Sequence, residues 1–417
     1  MPSSTNGPAT PASFVQRAPM LADLSLRLRA LGVFRGLLAD PVVAGLLSYL
    51  DCRRDAPVHA CVSMYGEFVS RLYASGHDSL ARYVLDAVCN DENPYVLAHA
   101  AGRNVAASME TCARADLRTL QEVANLTPAA LRMGLDWQGF MPGFETERVE
   151  LVSEYASRIE QVGRFGFGMY ARFRMFSLAD DGTVCPVAHP DPQRLSDLAG
   201  YEREKGLILA NTRALLAGKP AANVLLSGDA GTGKSSTVKA VVNELAGEGL
   251  RIIEVRKDQL KLIPAVLDEL AANPLKFIVF IDDLSFARDD DNYAALKAVL
   301  EGGVSSKSPN VVIYATSNRR HLVKESFSAR DGDDIHRNDT MQETLSLSER
   351  FGLQISFFKP DKAAYLAIVR QLARTCDLAV PVEELEAGAE RFALGRGGRS
   401  ARAARQYVDS LVAQQEA

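Results

Sequence analysis

The stretch Asn223 to Ser236, NVLLSGDAGTGKSS, limits more than any other what this chain can become. Gly228, Gly233, Lys234 and Ser235 satisfy the spacing G-x-x-x-x-G-K-[ST]. Val224 to Ser227 read as a short buried strand. After it, Gly228, Gly231 and Gly233 let the backbone curl until its N–H groups face inward, where they can hold phosphate oxygens. Asp229, Ala230, Thr232 and Ser236 complete the loop, which is expected to bind ATP. Lys234 then reaches the β and γ phosphates, and Ser235 offers a hydroxyl to Mg²⁺. The helix that begins there, running to about Leu245, has a positive dipole end that favours an anion. The plain alternative is a glycine turn before a capped helix, but the strand before and the helix after are the context a phosphate loop requires.

The chain has 417 residues, more than one typical core, so two or three domains are expected. With 47% hydrophobic and 24% charged residues it has a soluble globular composition. A formal charge of −5 argues against a surface that coats nucleic acid, although a local basic patch is compatible with it. Cys52, Cys61, Cys89, Cys112, Cys185 and Cys376 lack C-x-x-C pairing, which suits reduced, mostly buried thiols in the cytoplasm and implies no metal cluster. The N-terminal MPSSTNGPATPAS has neither a basic start nor an apolar core, and no later run reaches the length of a membrane span. Residues 1–19 read as a disordered tail, and no membrane partner is expected.

Residues 20–162 look helical almost throughout. Leu24, Leu28, Leu31 and Leu38 fall on one face of a first helix that Asp40-Pro41 punctuates. Further helices are expected at Val58 to Tyr73, Ser79 to Val88, from Pro94 onward, after the Thr127-Pro128 cap, and at Thr146 to Val162. Plain core packing accounts for these stripes, and no chemical motif lies among them. No lysine precedes Lys205, whereas lysines are frequent afterwards, which hints at two modules of different history. Residues 163–194, with Asp181-Gly182, read as a small extended or hairpin element and a proline-rich linker. A dinucleotide reading of Gly166-Phe167-Gly168 lacks the required strand, helix and acidic partner.

From Leu195 strands and helices alternate, with strands at Arg251 to Val255, Phe277 to Asp282, Val311 to Thr316 and Gln354 to Phe358. Helices are expected at Leu262 to Ala272, Tyr293 to Leu300 and Glu343 to Arg350. Apolar strands in this rhythm predict a parallel sheet covered by helices on both faces. Phe277 to Ile281 end in Asp282 and Asp283, at the carboxyl end of a strand where ligands sit in such sheets. Asp282 is placed to hold Mg²⁺ through water, and Asp283 to orient or deprotonate an attacking water. A strand closed by a solvated Asp-Asp turn is the plain alternative, made the lesser one by the phosphate loop upstream.

From Leu195 onward the assembly resembles the AAA+ ATPases, which implies an α/β P-loop core over residues 195–360, a C-terminal helical lid over residues 361–417, and a mostly α-helical N-terminal domain in front. Asp197 to Lys205, DLAGYEREK, looks like the segment that packs on adenine. Ala315-Thr316-Ser317-Asn318 resembles sensor 1, so Asn318 would position water or the γ phosphate. Leu347 to Gly352, LSERFG, looks like an arginine-finger segment, with Arg350 offered to a neighbouring subunit's ATP. Gly397 to Arg402, GGRSAR, resembles sensor 2, with Arg399 the expected γ-phosphate contact and Arg402 one turn on. Each has a plainer reading: Asn318 as a turn residue, Arg350 as a dipole partner, and Arg396, Arg399, Arg402 and Arg405 as a solvated stripe or a nucleic-acid contact.

The phrases GDAGTGKSSTVKA, DDLSF, YATSNRRHL and LSLSERFGL together look like a bacterial AAA+ family catalogued as a domain of unknown function. One departure from the wider superfamily stands out, since the second Walker B position carries Asp283 where Glu is usual, and its carboxylate reaches one methylene less far. The resemblance implies an ATPase that self-associates as a ring or open oligomer and couples ATP binding and hydrolysis to movement of its helical N-terminal domain or of a bound protein partner. A nucleotide-dependent switch with little hydrolysis and a nucleic-acid loader or remodeller are the competing readings. Arg256-Lys257-Asp258-Gln259 follows its strand where threading motors carry an aromatic grip, which argues against a polypeptide-threading role.

Overall fold

The computed structural model describes residues 18–286, 291–301, 308–318 and 347–415. Of the expected N-terminal tail, residues 1–17 lie outside the described residues, as does most of the polar loop and short helix expected between Thr316 and Arg350. The chain divides into two compact units, one reaching to Val162 together with Phe167–Arg172, the other formed by Gly163–Gly166 and Phe173 onward.

The first unit is helical: α1 (Ala18–Arg29), α2 (Pro41–Asp55), α3 (Val58–Ala74), α4 (Leu80–Cys89), α5 (Pro94–Ala100), α6 (Ala107–Ala124), α7 (Pro128–Arg132) and α8 (Leu151–Glu160); the short α9 (Val162–Phe165) falls almost wholly in the second unit, and α10 (Gly168–Arg172) belongs again to the first. Asp40, Ser79, Asn93 and Thr127 each cap a helix by accepting backbone N–H bonds, contacts worth about 1 kcal/mol apiece. The first helix is shorter than its apolar stripe suggested. It stops at Arg29 because the N–H groups of Gly32, Val33 and Phe34 turn to the buried Asp116 carboxylate at 3.0, 2.8 and 3.1 Å. Leu24, Leu28 and Leu31 still enter the core, and Leu38 packs on it from a 3-10 turn at Arg35–Ala39. The last long helix likewise begins at Leu151 rather than Thr146.

The second unit holds one sheet of seven strands, β1 (Met175–Leu178), β2 (Val184–Pro186), β3 (Val224–Gly228), β4 (Leu250–Glu254), β5 (Lys276–Ile281), β6 (Val311–Ser317) and β7 (Leu353–Phe357), in the order β2-β1-β4-β5-β6-β3-β7. All neighbours are parallel except β2, which returns antiparallel on β1 at the edge. The extended element between the units is therefore part of the sheet. Phe277 to Ile281 of β5 are wholly buried, as a strand covered on both faces requires. Around the sheet lie α11 (Glu202–Leu216), α12 (Lys234–Leu245), α13 (Ile263–Leu270) and α14 (Asp291–Glu301).

Three helices complete the chain as expected beyond Pro360: α15 (Lys362–Thr375), α16 (Val382–Gly395) and α17 (Ala401–Gln415). Asp361 caps α15 through Ala364 N–H at 2.8 Å. Tyr365, Val369, Ala389, Ala404 and Val408 form the centre of their own small core. Among the described residues no helix is long and apolar enough to cross a membrane.

Candidate functional site

Register explains why distant residues meet. Because β5 pairs with β6 and β6 with β3, all parallel, the loops that follow these strands open side by side at one edge of the sheet. Ile281 stands opposite Ala315 and Ser227 opposite Ser317, so Asp282, Asn318 and the glycine loop emerge together.

Gly228, Gly231 and Gly233 all have positive φ, at 134°, 78° and 92°. At Gly228 the constraint is also spatial, since a Cβ there would lie 2.0 Å from the carbonyl oxygen of Phe357. Asp229 N–H donates to that same oxygen at 3.1 Å, and its carboxylate accepts from Lys359 N–H at 3.1 Å. The loop is thus tied to the exit of β7. Thr232 closes it internally through Asp229 O at 2.9 Å.

Lys234 is 6% exposed, and its ammonium donates to Gly228 O at 2.9 Å, Asp229 O at 2.8 Å and Asn318 Oδ1 at 3.0 Å. Burial pulls this ammonium below its ordinary value, opposed by the nearby Asp229, Asp282 and Asp283 carboxylates and assisted by Arg402. Ser235 Oγ donates to Asp282 Oδ1 at 2.6 Å. Asn318, the expected sensor, bridges the site, since its Nδ2 also donates to Asp283 Oδ1 at 2.7 Å.

Asp283 has φ 51°, a left-handed conformation that Asp tolerates better than most residues. Its N–H donates to Asp282 Oδ1 at 3.1 Å and to Thr316 Oγ1 at 2.9 Å, while Leu284 N–H reaches Thr316 O at 2.7 Å. Thr316 also donates to Asp282 Oδ1. The sequence reading passed over this threonine as an individual. Its signal was available: a hydroxyl at the end of a strand beside one that ends in carboxylates.

The two remaining arginines stand apart from that cluster. Arg350 is paired with Glu301 at the end of α14, with Nε to Oε1 at 2.7 Å. Arg399 forks onto Glu390 of α16 at 2.8 and 2.7 Å instead of facing the glycine loop. Arg402 is the lid arginine against the loop: its N–H donates to Gly231 O at 3.0 Å, and a Cβ on Gly231 would touch its Cβ at 3.3 Å. Arg399 lies just before the last helix and Arg402 in its first turn, and the Glu390 carboxylate captures the first.

Between loop and lid runs a cavity of about 210 Å³. Gly231 to Gly233, Ser236 and Thr237 line its loop end, and Leu198, Ala199, Ile368 and Leu372 supply apolar wall. Asp197 to Tyr201 and Lys205 therefore share this cavity with the glycine loop. Tyr201 Oη donates to Phe358 O at 2.7 Å, and Arg405 reaches Asp197 O at 3.3 Å.

A family model described as "Protein of unknown function (DUF815)" matches residues 170–415, more than half of the chain. The chain belongs to the DUF815 family. The second unit of this DUF815 protein combines a mostly parallel sheet, a glycine loop, an acidic strand end and three C-terminal helices, the layout that the AAA+ resemblance led one to expect. Solved structures similar to it include the RuvB Holliday junction branch migration motor of Thermotoga maritima, at 18% identity over 52% of this chain and 63% of that one, with a TM-score of 0.34. A mutant form of that RuvB matches at 16% identity over 54% and 67%, with a TM-score of 0.37. The DUF815 chain spans just under two thirds of the first of these. No curated protein matches it.

Proposed function

We propose that this protein binds ATP with Mg²⁺ and hydrolyses it to ADP and phosphate, converting the cycle into movement of its own units or of a bound protein partner. The observation that carries the reading is the chain Lys234–Asn318–Asp283 beside the Ser235–Asp282 pair, five side chains from three neighbouring strand ends at one sheet edge. The donor set fits the nucleotide: the glycines leave backbone N–H groups and space for phosphate, and Ser235 and Asp282 are the hard oxygen donors that Mg²⁺ takes. Ser235 and Asp282 would hold the ion, which neutralises charge on the phosphate oxygens.

Lys234 exchanges its loop carbonyls for β and γ oxygens. Asp283 orients the attacking water and accepts its proton, while Asn318 fixes the carboxylate that does so. Arg350 leaves Glu301 for the phosphate of a neighbouring copy's ATP, where it stabilises charge in the transition state. Self-association into a ring or open oligomer follows from that role. Free thiols suit the reducing cytoplasm as the compartment.

A slow nucleotide-dependent switch is the second reading, favoured by the short Asp283 carboxylate already tied to Asn318. The basic lid stripe gives nucleic acid less support, because Arg399 is spent on Glu390, Arg405 on Asp197 O, and Arg396 lies over the Phe392 ring. Measuring Mg²⁺-dependent ATP binding and phosphate release at several protein concentrations tests the proposal. Release that rises with assembly supports it, and binding without release selects the switch.

A further inference from the structure

We infer that Lys205 reads the purine base, donating a hydrogen bond to a ring nitrogen and so setting nucleotide specificity. The inference deepens the proposed ATP site and rests on that reading. Lys205 lies one turn into α11, 6% exposed, on the wall of the cavity that runs from the glycine loop to the lid. A buried ammonium is expensive unless its N–H groups are used. An ammonium carries three of them. Two are spent within the chain, on Leu198 O and on Glu202 Oε1 at 2.8 Å.

The third has no acceptor among the described residues. Leu198, Ala199, Ile368 and Leu372 offer apolar faces to stack a flat ring, and of the polar side chains that share the cavity, the Asp197 carboxylate is already taken by Arg194 N–H and Ser196 Oγ. The Glu202 partner is largely solvent-exposed, so it neutralises the ammonium from outside and leaves the inward N–H for a ligand. Adenine presents only acceptors at its ring nitrogens, which matches a donor that can never accept. Gly200 and Tyr201 hold this wall in place: both have left-handed backbones, and a Cβ on Gly200 would lie 2.9 Å from Ile368 Cδ1.

The test compares binding of ATP with 1-deaza-, 3-deaza- and 7-deaza-ATP, each lacking one ring acceptor, in the wild-type protein and in Lys205→Met. One analogue is expected to bind wild type ~10-fold to 100-fold more weakly than ATP, the loss typical of a hydrogen bond to a charged donor. In Lys205→Met that difference should vanish, because the donor is gone. All three analogues binding wild type within about twofold of ATP would overturn the inference. So would the same discrimination persisting in Lys205→Met. If wild type fails to bind ATP at all, the nucleotide reading falls and the inference with it; should Lys205→Met fail to fold, Lys205→Gln takes its place in the same comparison.

Discussion

Asn318 donates its amide N–H to Asp283 Oδ1 at 2.7 Å, and its Oδ1 takes a hydrogen bond from Lys234 at 3.0 Å. One side chain thus sets the distance between the buried Lys234 ammonium and the exposed Asp283 carboxylate. Asn318→Ala should leave ATP affinity within a few-fold while lowering kcat by ~10²–10³, the range for removing one positioned polar group. Steady-state kinetics that show a raised KM with unchanged kcat would assign Asn318 to binding instead.

Lys234→Ala removes a buried ammonium with three polar partners. Charged hydrogen bonds to phosphate are the strong kind, so affinity for Mg²⁺-ATP should fall by at least ~100-fold. Isothermal titration of both proteins checks this, with circular dichroism to confirm that the fold survives. Unchanged affinity would remove the loop's assigned role.

The Arg350–Glu301 pair predicts a two-sided result. Arg350→Ala should keep ATP binding and cut turnover by ~10³, as for a finger supplied in trans. Glu301→Gln should do the reverse: by weakening an ion pair of Arg350 worth no more than about 1 kcal/mol, it should lower the protein concentration at which turnover rises, by a few-fold. Turnover independent of concentration in all three proteins would contradict a shared site.

The lid arginines part company by their partners. Arg402→Ala should weaken ATP binding or turnover, because Arg402 lines the cavity beside the glycine loop and its charge acts on Lys234. Arg399→Ala should instead loosen α16 against α17 by removing the Glu390 fork, seen as a lower Tm with nearly normal ATP affinity. Equal effects of the two on affinity would restore Arg399 to the nucleotide.

Most of the sheet and its loop were legible in the sequence because strongly apolar strands and a glycine loop leave few alternatives. Phe277 to Ile281 can be little else than a covered strand. Asp282, Asp283 and Asn318 could be named for the same reason: each ends such a strand. What the sequence did not give were features set by tertiary partners. Met175–Leu178 and Val184–Pro186 read only as a small extended or hairpin element and not as the edge of the main sheet, since pairing with Ile252 and Ile253 is a long-range event. Arg399 was expected at the phosphate because nothing local announces that Glu390, nine residues earlier, captures it. The early end of the first helix depends on Asp116, more than eighty residues away.

Asp283 carries the central claim, and single-turnover hydrolysis of ATP in wild type, Asp283→Asn and Asp283→Glu tests it most directly. Asp283 is held in a left-handed backbone by Thr316 and Asp282, which aims its short carboxylate. Small errors in the position of such a group are costly. The account predicts measurable wild-type hydrolysis, loss of it by ~10²-fold or more in Asp283→Asn with ATP still bound, and no gain in Asp283→Glu. Hydrolysis that proceeds at the wild-type rate in Asp283→Asn would contradict it.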